Sequence, residues 1–323
     1  MSLTCAAPIL LSEAKHHNKF AVSRSKHRGA APILLSEANP NEFAASHLHD
    51  VDSSSVQVVY RKDCSDIYDT STFVNFYNSS PAGGDGGMNF TSRSYQQELL
   101  DRNDIPFEDI KQNMKELDFI NAKLGGHDIT LKGLRTMMKN ADRQNAPISI
   151  LEIGCGGGDN LRVIKNYCQR RNMKVQLSGV DINPHCIEFA RSRKENANIE
   201  FYTSDYKLMR LDKKPDIIFN SLFCHHFNDE EVKQIFSWMK QNSRIGFFVN
   251  DLHRHPLAYY SIKSLTKLFS KSYLVKNDAP LSVLRGFKKG ELEMFNADCS
   301  ILNAQLHWKW AFRWLLIAFN DVN

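Results

Sequence analysis

Paired cysteines, long apolar runs and clusters of like charge are all missing from this sequence of 323 residues. Its seven cysteines are scattered and odd in number, with no Cys-x-x-Cys pair, which argues against a disulfide framework and favours reduced thiols in a cytoplasmic protein. No apolar run approaches the roughly 20 residues that a membrane-spanning helix needs. The net charge of +5 is modest and the basic residues are dispersed, so the footprint of a nucleic-acid-binding protein is absent. These absences favour a globular protein that does not bind nucleic acid.

A glycine-rich turn lies at the centre of the sequence. An apolar, β-branched run over 148–153 predicts a strand, and apolar residues at helical spacing resume after the turn. Glycines at alternate positions indicate that the backbone takes a left-handed conformation or touches a ligand. A dinucleotide fingerprint would place its third glycine where Asp159 stands. The motif is instead Glu-x-Gly-x-Gly-x-Gly, from Glu152 to Gly158.

Four more predicted strands follow, and each ends in or beside a polar side chain. These strands are predicted at 175–181, 199–205, 216–221 and 245–251. Asp181, about 20 residues beyond the glycine turn, stands where a ribose-binding acid is expected. Because ligands of an open α/β sheet bind outside the carboxyl ends of its strands, the polar ends should converge on one crevice. A strand-terminal Asp also often caps the next helix, which is the competing interpretation for Asp205.

The motif at Glu152 to Gly158 resembles motif I of the class I S-adenosylmethionine (SAM) methyltransferases. The resemblance implies an α/β fold, a Rossmann-like doubly wound seven-stranded sheet, with a helical lid before it and a helical cap between strands 5 and 6. It implies SAM as the cofactor and S-adenosylhomocysteine as the product. The residues implied to bind this cofactor are Glu152, Gly154, Cys155, Gly156, Gly158, Asp181, Ile182, Ser204, Asp205 and Asn220.

Residues 88–319 are similar, more closely, to the UbiE-like quinone methyltransferases, and in particular to the bacterial branch associated with type III polyketide synthases. The segments that carry this similarity are 118–121, 124–126, 250–254, 278–285 and 308–314. The resemblance implies secondary metabolism and a small aromatic, phenolic, quinol or polyketide-like acceptor.

Methylation of a phenolic oxygen, or of the carbon ortho or para to it, is helped by a base that removes the proton. His226, after the fourth strand, and His253, after the fifth, stand at the correct end of the sheet and are the predicted catalytic residues. A lone histidine is also often a structural hydrogen-bonding residue. Tyr259, Ser282 and Arg285 are the predicted acceptor-binding residues, with Arg285 steering an acidic or phenolic acceptor.

Residues 1–87 differ in character from the rest. The nonapeptide Ala-Ala-Pro-Ile-Leu-Leu-Ser-Glu-Ala occurs at 6–14 and again at 30–38, too few copies for a solenoid. We predict a poorly ordered, dispensable extension, and a methyltransferase domain over 88–323.

Within that domain the predicted parts are lid helices over about 93–145, a core over about 146–252, an acceptor cap over about 253–295 and terminal strands over about 296–320. Arg93 and Tyr95 are lid candidates that would close over the cofactor. The aromatic residues of 308–314 alternate with other side chains, so this segment reads as one strand with an aromatic face, and peripheral membrane contact stays open.

Two other function classes remain open from the sequence. A non-catalytic SAM-binding or scaffold protein would carry the same binding motif. An NAD-dependent oxidoreductase could use Asp181 as its ribose ligand, but Asp159 disfavours it. A nucleic-acid methyltransferase would have Asn-Pro-Pro-Tyr or Asp-Pro-Pro-Tyr after the fourth strand, where this chain has Asn220-Ser221-Leu222-Phe223. The pairs His225-His226 and His253-x-His255 lack further ligands at metal-site spacing, so no metal site is predicted. The oligomeric state stays open.

Overall fold

The computed structural model describes residues 89–102, 104–139, 147–301 and 303–320, together with the backbone of two strands near the N-terminus. Those two strands, Lys19–Arg24 and Val56–Arg61, pair antiparallel. They belong to one compact unit, Met1–Gly86, and the rest of the chain forms a second, Gly87–Asn323. Most of the predicted extension over 1–87, including both copies of the nonapeptide, lies outside the described residues, so its disorder and dispensability stay predictions.

The second unit is built on a seven-stranded sheet. Its strands are β1 (Ile148–Ile153), β2 (Val175–Asp181), β3 (Glu200–Thr203), β4 (Ile217–Ser221), β5 (Gly246–Leu252), β6 (Gln305–Lys309) and β7 (Arg313–Phe319). Their order in the sheet is β3-β2-β1-β4-β5-β7-β6, and β7 runs antiparallel to both its neighbours. Strand order reverses between β1 and β4, which is where an open α/β sheet forms a ligand crevice. The predicted fold class is confirmed.

Eight helices surround this sheet in the described part of the second unit. They are α1 (Phe107–Lys123), α2 (Gly126–Met138), α3 (Asp159–Gln169), α4 (Pro184–Ser192), α5 (Asp229–Asn242), α6 (Pro256–Phe269), α7 (Tyr273–Arg285) and α8 (Lys289–Asp298). Gly125, at φ 75°, separates α1 from α2. Asn183 caps α4 with Pro184 in its first turn, and Asn228 caps α5. No helix in these described ranges is long and apolar enough to cross a membrane.

Both faces of the sheet carry apolar layers, because successive residues of a strand point to opposite faces. Ile150 packs in the layer that includes Leu134 of α2 and Leu161 of α3. Its neighbour Leu151 packs in the layer that includes Phe236 of α5 and Phe295 of α8. A sheet buried on both faces suits the continuous apolar runs of the central strands.

The terminal aromatic segment is a hairpin, so the prediction of one strand with one aromatic face was wrong. Strands β6 and β7 are joined by a turn at 310–312, which places Trp308 opposite Trp314. Phe312 in that turn has a φ of 54°. Trp314 is 7% exposed and Trp310 is 69% exposed. The turn contains no glycine or proline that would have marked it in the sequence.

Candidate active site

A cavity of about 1100 Å³ lies at the carboxyl ends of β1, β2, β3 and β4. The glycine turn forms one wall, and side chains from α1, α6 and α7 form the other, including Met114, Ile262 and Ser282. Pockets for one small ligand measure about 300–1,000 Å³. The volume is therefore sufficient for a cofactor and a second small molecule side by side.

The glycine turn owes its shape to three left-handed residues. Gly154, Gly156 and Gly158 have φ angles of 67°, 48° and 72°. A Cβ at Gly154 would lie 2.1 Å from the ring of Phe223, so the position admits only glycine. Gly154, Cys155 and Gly156 line the cavity. Gly158 does not line it, because it forms the N-cap of α3; its predicted direct contact with a ligand is not supported.

Glu152, at the end of β1, is a buried carboxyl with one partnered oxygen. Its Oε1 accepts a hydrogen bond of 3.0 Å from Asn160 Nδ2, and its Oε2 has no hydrogen-bond partner among the described residues. Burial, with the charge of Asp159 nearby, raises the pKa of Glu152 well above its ordinary value. A buried polar atom without a partner is costly, so Oε2 is placed to meet a donor in the cavity that it lines.

Asp181, at the end of β2, holds the glycine turn and faces the same cavity. Its Oδ2 accepts from the backbone N–H of Gly156 at 2.9 Å, and its Oδ1 from that of Asn183 at 2.9 Å. Burial raises the pKa of Asp181 despite these donors. Each carboxylate oxygen can accept a further hydrogen bond, so Asp181 retains acceptor capacity. Ile182, beside it, lines the cavity and is 73% exposed.

Of the predicted cofactor-binding residues, those that follow β3 line the cavity and the one in β4 does not. Ser204 and Asp205 line the cavity, and Asp205 Oδ1 also caps the short helical turn Tyr206–Leu208 by accepting from the N–H of Lys207. Asn220 does not reach the cavity: its side chain is fully buried against Met239 and Cys224 on the other face of the sheet. The predicted cofactor contact by Asn220 is therefore corrected. Because side chains alternate along a strand, its neighbour Ser221 lines the cavity instead.

The two predicted bases lie in different places. His226 lines the cavity, with Nδ1 2.9 Å from Asp101 Oδ1, although without hydrogen-bond alignment. His253 lies outside the cavity lining, and its Nδ1 accepts from Trp308 Nε1 at 3.2 Å. Burial, with the charge of His255 next in effect, lowers the pKa of His253 to about 4. The prediction of His253 as a base is corrected, because its ring nitrogen is engaged in the terminal hairpin.

Only two of the three predicted acceptor-binding residues line the cavity. Tyr259 is buried outside the cavity against Phe90, because helix α6 turns its other face, with Ser261, toward the cavity. This prediction is corrected. Ser282 and Arg285 do line the cavity.

The Arg285 guanidinium is largely engaged by the protein itself. Its Nε donates to the His225 carbonyl at 2.9 Å, and its Nη1 donates to the Gln96 carbonyl. Ser282 Oγ donates to Glu98 Oε1 at 2.8 Å. Both side chains therefore hold the segment before α1 against the cavity.

A buried ionic network at the far end of the cavity escaped the sequence analysis. His225 Nδ1 lies 2.7 Å from Asp251 Oδ1, and His225 Nε2 lies 3.5 Å from Glu98 Oε1. Burial alone would lower the pKa of His225, but Asp251 and Glu98 raise it to about 9. Burial alone would raise the pKa of Glu98, but His226 and His225 lower it to about 2. His225 is thus a buried imidazolium between two carboxylates. Because Glu98, His225 and Asp251 lie far apart in the sequence, no motif of fixed spacing indicated this network.

The same network has the composition of a metal site. Ligand atoms of Glu98, His225 and His226 lie within 4.8 Å of one another, a grouping that the sequence did not reveal. However, Ser282 already donates to Glu98, and the cationic Arg285 lies 3.8 Å from it. The positive charge of Arg285 would repel a second cation beside Glu98.

The segment before α1 closes one side of the cavity. Tyr95 lines it, and its hydroxyl donates to Asp229 Oδ1 at 3.0 Å. Arg93 is buried behind it, donating to Asp229 at 2.6 Å and lying 4.3 Å from the ring of Phe287. Of the two lid candidates, Tyr95 lines the cavity and Arg93 anchors the segment, and closure over the cofactor stays a prediction.

Comparisons with known proteins agree with this architecture. Residues 150–246 match the family model described as a methyltransferase domain. The malonyl-(acyl-carrier protein) O-methyltransferase of Acetivibrio thermocellus is 30% identical over 102 residues, which are 31% of this chain and 35% of that protein. The ubiquinone biosynthesis O-methyltransferase of Pelagibacter ubique is 25% identical over 126 residues, 38% of this chain and 49% of that protein. This chain thus spans about a third to a half of the length of these relatives.

Among solved structures, the plantazolicin methyltransferase BpumL, crystallised with a monoazolic desmethylPZN analog and S-adenosylhomocysteine (SAH), has a TM-score of 0.46 and 19% identity. The similarity covers 62% of this chain and 72% of that one. The branch associated with polyketide synthases stays a prediction. The predicted resemblance to the class I SAM-dependent methyltransferases is confirmed by the methyltransferase-domain match over residues 150–246.

Proposed function

We propose that this protein transfers a methyl group from SAM to a small apolar acceptor of aromatic, phenolic, quinol or polyketide-like chemistry. The observation that carries the proposal is one cavity with two halves. The left-handed glycine turn, Glu152 and Asp181 form one half, and apolar side chains of α1, α6 and α7 form the other.

The cofactor half fits SAM on four counts. SAM bears a cationic amino-acid group, and Glu152 Oε2 is a buried acceptor without a partner. Its ribose offers two hydroxyl donors, and Asp181 retains acceptor capacity beside the glycine turn. Its adenine is flat and apolar on its faces, and Ile182 presents an exposed apolar side chain there. Ser204 and Asp205, at the end of β3, would read the adenine amine.

The acceptor half has an apolar wall beside the ionic network of Glu98 and His225. Its lining includes Leu117, Ile262, Leu265, Val275 and Val283. When bound, SAM supplies an electrophilic methyl group. What this chain contributes is to hold an acceptor in line with that group and to exclude water from both. Four of the five curated relatives are named for oxygen methylation and one for nitrogen methylation, so the names favour an oxygen as the acceptor atom here.

His226 is the residue placed to hold the acceptor's proton. Its ring lines the cavity, with the carboxylate of Asp101 at Nδ1 and that of Glu98 3.8 Å from Nε2. A histidine that lines the cavity can take the proton of a phenolic acceptor as a general base. His225 cannot serve in this way near neutral pH, because its two carboxylates keep it protonated. We assign His225 the role of positioning Glu98.

The cofactor assignment is tested by calorimetric titration with SAH. Asp181→Ala removes the proposed ribose contacts, and two hydrogen bonds to a charged group are worth about 3 kcal/mol together, or about a hundredfold in affinity. Asp212→Ala, at an exposed position outside the cavity lining, is the matched control and should bind as the wild type does. We further propose that a chain beginning at Met88 binds SAH with the affinity of the intact protein.

The outcomes separate the remaining alternatives. If SAH produces no heat of binding with a correctly folded wild-type protein, SAM binding is excluded and NAD becomes the favoured cofactor. SAH binding without methyl transfer to any of a panel of phenols and quinols would favour the non-catalytic scaffold.

A further inference from the structure

Helix α6 in the cap exposes most of its large apolar side chains. Only Ala258, Tyr259 and Thr266 among its 14 residues are buried. The exposed apolar side chains are Leu257 (59%), Tyr260 (53%), Leu265 (41%), Leu268 (74%) and Phe269 (77%). At 3.6 residues per turn they fall on one half of the helix surface, together with Ser261 and Ser264. Exposed apolar patches of this kind mark interaction sites.

The terminal hairpin extends this surface. Trp308 is 47% and Trp310 69% exposed. Both rings lie against Phe312, at 6.1 and 6.3 Å, and Phe312 stacks at 5.1 Å on His255, the N-cap residue of α6. The two tryptophans therefore adjoin the N-terminal end of α6. We call these seven exposed side chains of α6 and the hairpin the apolar face.

The charge around the apolar face has one sign. Residues 252–277 contain four lysines and no Asp or Glu. Residues 305–320 contain Lys309 and the buried Arg313, again without an acid. Lys263 and Lys267 are exposed along the edge of α6 that lies away from the cavity. Glu116 of α1 lies near the C-terminal end of α6, where its side chain accepts a hydrogen bond of 3.0 Å from the backbone N–H of Lys271. The border of the face is thus cationic, and Glu116 is engaged in hydrogen bonds.

The cavity opens at this same surface. Leu265 and Trp310 both line the cavity and belong to the apolar face. Ser261 and Ile262, one turn back on α6, continue the lining inward. A molecule leaving the apolar face could therefore enter the cavity past Leu265 and Trp310.

We propose that the apolar face docks on an anionic lipid bilayer, with the mouth of the cavity turned toward the lipid. Tryptophan is the side chain enriched at membrane interfaces, and a helix with an apolar face bordered by lysines lies in the plane of such an interface. Lysines beside the face would be attracted by anionic headgroups. A lipid-dissolved acceptor would then reach the cavity without crossing water. That last consequence rests on the proposed function, whereas the docking itself does not.

The test is co-sedimentation of the full-length protein with vesicles of phosphatidylcholine alone and of phosphatidylcholine mixed with phosphatidylglycerol. We expect binding to the mixed vesicles. Leu268→Glu should weaken it by at least about tenfold, because a charge replaces a leucine that the bilayer would bury. Leu208→Glu is the matched control, since Leu208 is 76% exposed and lies after β3, away from α6 and the hairpin. Lys263→Gln and Lys267→Gln should each weaken binding to the mixed vesicles by about fivefold.

Three outcomes would overturn the proposal: no binding to either vesicle, equal loss in the Leu208 and Leu268 variants, or a change in solution mass on Leu268→Glu that reveals a second copy on the face. Circular dichroism of each variant verifies folding. SAH titration of the folded wild type separates the two proposals, because failure to bind SAH would remove the proposed function and leave the vesicle result standing.

Discussion

The buried imidazolium of His225 should make stability depend on pH in a defined direction. The pKa of His225 is raised from an ordinary 6.5 to about 9 in the folded protein. Because the folded value is the higher one, the protonated ring stabilises the fold. This stabilisation is complete below about pH 6.5 and is lost as the pH rises through about 9. The difference corresponds to about 3 kcal/mol at low pH, since each pKa unit is worth about 1.4 kcal/mol.

The perturbation is His225→Gln, which removes the titrating group and leaves Glu98 and Asp251 in place. Between about pH 7 and about pH 9 the stabilisation from His225 should fall by about 2 kcal/mol. The free-energy difference between wild type and variant should therefore shrink by about that amount over the same range. The change with pH is the diagnostic quantity, because the variant also loses a pH-independent packing contribution.

The assay is urea unfolding followed by tryptophan fluorescence at several pH values. All four tryptophans lie between Trp238 and Trp314, so the signal reports the second unit alone. The control is His307→Gln: this histidine is exposed, and burial lowers its pKa, so it does not titrate above neutral pH. A wild-type minus His225→Gln difference that stays constant across this range would refute the assignment of a buried imidazolium.

Two further predictions concern the glycine turn and the base. Gly154→Ala should destabilise the protein by about 2 kcal/mol or more and weaken SAH binding, because an L side chain is strained at a φ of 67° and its Cβ would meet Phe223. Gly290→Ala in α8, where a Cβ meets nothing within 4 Å, should instead stabilise it by about 0.5–1 kcal/mol, and urea unfolding compares the two. His226→Gln should lower kcat by about 10²–10⁴-fold on a phenolic acceptor with SAH affinity unchanged. His253→Gln should leave kcat at the wild-type value, and equal losses in both variants would contradict the assignment of the base.

The fold was accessible from the sequence because its evidence is local. The strands around the glycine turn are apolar runs with polar ends, and the helices have capping residues such as Asn183 and Asn228. The order of these elements along the chain then restricts the sheet to few topologies. Where local evidence was ambiguous the prediction failed, as in the 308–314 segment, whose alternating aromatics are compatible with one strand or with a hairpin.

The errors at the site have a different origin. Asn220 and Tyr259 occupy the right elements, but their side chains point away from the cavity while Ser221 and Ser261 point into it. A shift of one residue along a strand reverses the direction of a side chain, and a shift of two residues along a helix turns it by about 200°. His253 stands at the correct end of the sheet, yet the indole of Trp308 in the terminal hairpin takes its ring nitrogen.

The sequence by itself determined the α/β class, the strand-turn-helix unit around Glu152 and the glycines, and the acid after the second strand. Each follows from backbone conformations and side-chain periodicities that neighbouring residues set. Only the tertiary structure decided that His225 is held between Glu98 and Asp251, that His226 and not His253 faces the cavity, and that α6 exposes an apolar face at the cavity mouth. These features depend on contacts between residues far apart in the chain, and on burial that shifts their charges. Burial and long-range contact exist only once the chain has packed.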